Sequence, residues 1–163
     1  MFKHPRRTFL QATLLSSTIL VLYSNKLFSL VSPHQTLELV QIDLFPFAKD
    51  SGVKLAHYMT IVLQHSRITD VDKEFIRDGI KWLNEEAVLK YNSVYSDLSP
   101  NQREKVLQSI SKEDWGRSWV HSMLTYIMEA MFSDRVYGVN PKEAGAKWLS
   151  FEAGYPRPKE ALL

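Results

Sequence analysis

Two stretches of this chain repeat their apolar residues at three- and four-residue steps for so long that only helices bury them on one face. The first carries Phe75, Ile76, Gly79, Ile80, Leu83, Ala87 and Tyr91, and the second carries Trp115, Trp119, Met123, Tyr126, Ile127, Ala130 and Met131. A strand turns alternate residues to opposite faces, so neither stripe fits one side of a sheet. At about 3.6 residues per turn the second stripe covers about five turns. Its aromatic members Trp115, Trp119 and Tyr126 read as core, because such side chains bury large areas.

Local punctuation places the helix ends. Thr69 stands before Asp70, Asp72 and Glu74, a hydroxyl cap followed by acids that complement the helix dipole, so a helix is expected over about 70–92. Ser99-Pro100-Asn101-Gln102 joins an N-cap serine, a first-turn proline and the glutamine of a capping box, opening a helix over about 100–111. Val53, Ala56, His57, Thr60, Ile61 and Gln64 share one face of a helix ending near Gln64. The segment 35–50 mixes helical and alternating spacing and is read as a helix broken at Asp50-Ser51-Gly52. Beyond Ser133 come Gly138, Asn140-Pro141, Gly145, Gly154, Pro156 and Pro158, the composition of an extended arm. The expected fold is all-α: an irregular helical bundle over residues 33–163 with an extended Gly/Pro/aromatic-rich C-terminal arm.

Residues 1–32 are of another kind. A basic start leads into the apolar run from Ala12 to Tyr23, about half of the roughly 20 residues a membrane-spanning helix needs and the size of a signal-peptide core. Arg6-Arg7-Thr8-Phe9-Leu10 resembles the twin-arginine export motif, with Phe9 and Leu10 at the expected spacing after Arg6 and Arg7. This implies recognition by the twin-arginine translocase and a periplasmic location. No Ala-x-Ala cleavage site follows, so an uncleaved leader would tether the chain to the membrane. The first acidic residue is Glu38, and 16 basic against 18 acidic residues leave the body after the leader at −2. A nucleic-acid partner, which needs a clustered basic face, is not expected.

Cysteine is absent, which excludes disulfides, iron–sulfur clusters, thiolate zinc sites and covalent haem on this chain. His4, His34, His57, His65 and His121 form no His-x-x-x-His or Glu-x-x-His pair, and neither a GxGxxG loop nor a P-loop occurs. Glu85 and Glu86 point to different helix faces, and Glu113 and Asp114 suit a helix start. No catalytic, cofactor-binding or metal site is therefore expected. An acid–base pair of His121 and Glu129, eight residues apart on one helix, stays open as the reading of a small enzyme. A partner interface is expected on the arm, at Tyr137, Trp148, Phe151 and Tyr155, where aromatic side chains sit among glycines and prolines.

Several short segments, in order, carry a resemblance. They are the arginine motif, Trp82-Leu83-Asn84, Leu98-Ser99-Pro100-Asn101-Gln102-Arg103, Met131-Phe132-Ser133-Asp134 with Tyr137-Gly138-Val139-Asn140, and Gly145-Ala146-Lys147-Trp148-Leu149 leading to Gly154-Tyr155-Pro156. Together they resemble the gluconate 2-dehydrogenase subunit 3, or gamma subunit, family. The resemblance implies a small, non-catalytic, exported subunit without a cofactor. Its implied partners are an FAD-carrying sugar or sugar-acid dehydrogenase, for which it provides support and a twin-arginine leader, and a multihaem cytochrome c. The sequence departs from the family pattern at Val139 and Ser150, where glycines are usual, and at Ala146, where a tryptophan is usual. A stand-alone exported helical module tethered to the membrane is the alternative reading.

Overall fold

The computed structural model describes residues 33–152, 154 and 156–161. Seven α-helices and two 3-10 turns make up the described body, with no strand among the described residues. The helices are α1 (Pro33–Leu44), α2 (Phe47–Ser51), α3 (Leu55–Gln64), α4 (Asp70–Tyr91), α5 (Pro100–Ile110), α6 (Asp114–Phe132) and α7 (Ala144–Trp148); the turns are Tyr95–Asp97 and Arg135–Tyr137. The all-α expectation therefore holds.

α4 begins as its sequence dictates, with the Thr69 hydroxyl accepting from the Asp72 amide at 3.2 Å. It ends at Asn92, whose φ of 52° takes the left-handed conformation that closes a helix. Its inner face, Ile76, Gly79, Ile80, Leu83 and Ala87, packs against α1, α5 and α6. α5 opens with the Ser99 amide and hydroxyl both donating to Gln102 Oε1, at 2.9 and 2.8 Å. On α6 the residues Trp119, Met123, Ile127, Ala130 and Met131 are fully buried.

The core divides in two. The larger cluster gathers Leu37, Met59, Ile76, Leu83, Tyr95, Val106 and Trp119 from five helices and a turn. The smaller gathers Ala48, Leu55, Ile127, Met131 and Val139, under the far end of α6. Leu44 and Tyr58 touch both, so the two clusters form one continuous interior.

Three polar side chains tie elements together inside that interior. Asn84 donates to the Ile80 carbonyl and accepts from the Tyr95 amide at 2.9 Å, fixing the turn after α4. Asp43 on α1 receives Arg103 of α5 in a two-pronged ion pair, Nε at 2.7 Å and Nη2 at 3.0 Å, and the Tyr95 hydroxyl at 2.8 Å. The Asp43 carboxylate raises the Arg103 pKa, and burial followed by the same carboxylate raises that of Tyr95. Asn140 donates to the Met131 and Ser133 carbonyls and accepts from the Ala144 amide, joining the end of α6 to α7.

Three expectations need correction. The segment 35–50 is two helices parted at Phe45-Pro46 rather than one helix ending at Gly52. α1 buries Thr36 and Gln41 beside Leu37 and Val40, and these polar members blur its apolar period. On α3 the buried face is Leu55, Met59 and Val62, while His57 and Gln64 are exposed. α3 contacts both α1 and α6, so partly buried apolar residues such as Tyr58, Ile61 and Leu63 flank that face and blur the stripe in sequence. The arm, lastly, is not extended throughout: Val139, Asn140, Ala144, Gly145 and Ala146 are buried, and the chain up to Trp148 folds back on α6.

Candidate partner interface

The end of α6 sets the geometry of the region. Ser133 closes the helix, and Asp134 caps the following turn by accepting from the Val136 amide at 3.1 Å. That amide, and then the Arg157 guanidinium, hold the Asp134 carboxyl below its usual range. Arg157 donates to Asp134 at 2.8 Å and also binds Glu143, so the tail after Pro156 is clasped to the body. Gly145 lets α7 lie against the end of α6, since a Cβ there would stand 2.6 Å from the Met131 carbonyl.

This packing lifts Trp148 onto an aromatic ledge. Its ring lies 5.6 Å from Phe45, nearly edge-on at 81°, and 5.8 Å from Phe47. Phe45 and Phe47 meet each other at 6.1 Å, again edge-on, an arrangement favoured by the ring quadrupoles. Trp148 stays 48% exposed, Phe47 42%, Phe132 48%, Leu149 58% and Phe151 65%. The other exposed large apolar residues among the described ones, Val71 and Leu89, stand singly on α4. Scattered apolar side chains are ordinary on a surface, and this one is set apart by gathering several around one short helix.

Of the expected interface residues, Trp148 and Phe151 lie in this exposed group, while Tyr137 is half-buried against the smaller core cluster. Tyr155 lies outside the described residues, as do Arg6, Arg7, Phe9 and Leu10 of the leader. Phe45, Phe47 and Phe132 were not singled out from sequence. The Phe-Pro-Phe step was the available signal, since proline between the two aromatics breaks the helix, leaving Phe45 half-buried against the smaller cluster and Phe47 exposed.

Other candidate groups remain apart. His121 and Glu129 are separated by about 12 Å of helix rise at about 1.5 Å per residue, and Glu129 instead accepts from the Tyr58 hydroxyl at 2.9 Å. Burial and that carboxylate raise the Tyr58 pKa. His65 lies just past α3 and accepts from the Arg67 amide, so it shares no helix face with His57. Among the described residues no group of three His, Cys, Asp or Glu is placed to hold a metal, and no helix is long and apolar enough to cross a membrane.

The segments singled out for their resemblance are those that fasten this body: Asn84, Arg103 and Asn140 each bridge two elements. Neither the curated proteins nor the solved structures contain a match to the chain. The family model described as gluconate 2-dehydrogenase subunit 3 matches residues 34–153, nearly the whole described body. The chain belongs to the gluconate 2-dehydrogenase subunit 3 family.

Proposed function

We propose that this chain is the non-catalytic small subunit of a periplasmic, membrane-associated FAD-dependent sugar or sugar-acid dehydrogenase complex. In this reading it supports the flavoprotein's folding and carries it through the twin-arginine translocase on its own leader. FAD sits on the large subunit, and haem c on a multihaem cytochrome of the same complex. Family membership supports the subunit role. The observation that carries the partner assignment is the exposed aromatic group around α7, because interface cores are enriched in aromatic side chains.

Co-purification of the tagged subunit with its flavoprotein tests it. Phe151→Ala and Trp148→Ala are expected to weaken the complex, each by about 2 kcal/mol or about thirtyfold in affinity if it is a hot spot. Phe151, at 65% exposure, should leave the melting temperature of the free subunit unchanged. Unaltered binding by both variants would rule this face out as the contact, whereas a native subunit that retains no flavoprotein would favour a stand-alone exported module.

A further inference from the structure

Between α1, α3 and α4 opens a cleft of about 540 Å³, sharing no residue with the aromatic ledge and within the roughly 300–1,000 Å³ typical of small-ligand pockets. Leu37, Leu63 and Ile80 give it apolar walls, and no acidic residue lines it. Arg77 and Lys81, one helical turn apart on α4, both line it. Both are exposed, and among the described residues neither makes an ion pair. Thr36 lines the same cleft, and its buried hydroxyl has no hydrogen-bond partner among the described residues. A buried hydroxyl without a partner is costly, so a polar ligand atom within its reach gains a bond the chain leaves unmade.

These features call for a ligand with an apolar body and a negative head. The chain's own residues before Pro33 supply no such charge, since the first acidic residue is Glu38. We propose that the cleft binds a single-chain anionic amphiphile of the fatty-acid type, its carboxylate held by Arg77 and Lys81 and its acyl chain laid along Leu37, Leu63 and Ile80. This site goes beyond the subunit role and does not depend on it.

Calorimetric titration of the full chain with monomeric decanoate, and with decanol as the uncharged control, provides the test. Binding of decanoate at one per chain is expected. The double variant Arg77→Gln/Lys81→Gln should weaken it roughly tenfold or more, as loss of charge-assisted hydrogen bonds implies, with thermal unfolding unchanged. Decanol should bind the native chain more weakly by a similar factor. Equal binding of acid and alcohol, an unaffected double variant, or no binding at all overturns the proposal. Binding that emerges only after residues 1–32 are removed overturns it too, because the cleft then belongs to that segment.

Discussion

At Gly79 the ordinary rule for helices changes sign. Replacing a mid-helix glycine by alanine usually stabilises a protein, by roughly 0.5–1 kcal/mol, through backbone entropy. Here a Cβ would fall inside the Trp119 indole, against Nε1 and Cδ1. Trp119 is wholly buried and donates to the Ile76 carbonyl at 3.2 Å, so it has nowhere to retreat. Gly79→Ala is therefore expected to destabilise by about 3 kcal/mol, the upper part of the overpacking range, seen as a fall in denaturation midpoint. Ser150 presents the opposite case. Its φ of 53° lies in the left-handed region that costs a side-chain-bearing residue about 1–2 kcal/mol. Ser150→Gly relieves that strain while making the unfolded chain freer, so a net gain of about 0.5 kcal/mol is expected on urea unfolding. A glycine at this position, as the resemblance implies, would suit this backbone.

Among the elements, those with long apolar stripes and side-chain caps were legible in sequence. α4 and α5 each lie within a residue or two of their expected ends, because Thr69 and Ser99 mark starts that need no tertiary information. α1 and α3 were less legible, since one buries Thr36 and Gln41 and the other carries partly buried apolar residues such as Tyr58, Ile61 and Leu63 beside its buried face. The arm was legible as a place for aromatic contacts but not as a packed element. What orders it is Asn140, hydrogen-bonded to three backbone groups across the bend, and the clasp of Arg157 on Asp134 and Glu143. Nothing in residue spacing announces such pairings. The clasp has a pH signature. Because the folded Asp134 carboxyl titrates below its ordinary range, its contribution is fully present above the unfolded value of about 3.9 and is lost as pH falls through the folded one. Thermal unfolding followed downward from about pH 5 should show the native chain's advantage over Asp134→Asn shrinking in that acid window. A constant difference between the two would mean that the charge on Asp134 contributes nothing to the clasp.

On the scale of the whole molecule, the parts divide their work. The body after the leader carries −2, while the first 32 residues hold four basic and no acidic side chains. Those first 32 residues account for the basic character of the chain. Under the export reading proposed above, a pathway that carries proteins already folded would suit a body whose helices are fastened by half-buried pairs such as Asp43–Arg103. If the leader serves both chains, its arginines matter more to the flavoprotein than to the stability of this subunit. Replacing Arg6 and Arg7 together by lysine keeps the charge but removes the planar guanidinium pair, a change that is not conservative where geometry is read. The double variant is expected to leave this chain and the flavoprotein together in the cytoplasm, with their complex still intact on co-purification. Cell fractionation followed by blotting for both chains measures this. Flavoprotein found in the periplasm of the double variant would mean that it travels on a signal of its own, and the shared-leader reading would fall.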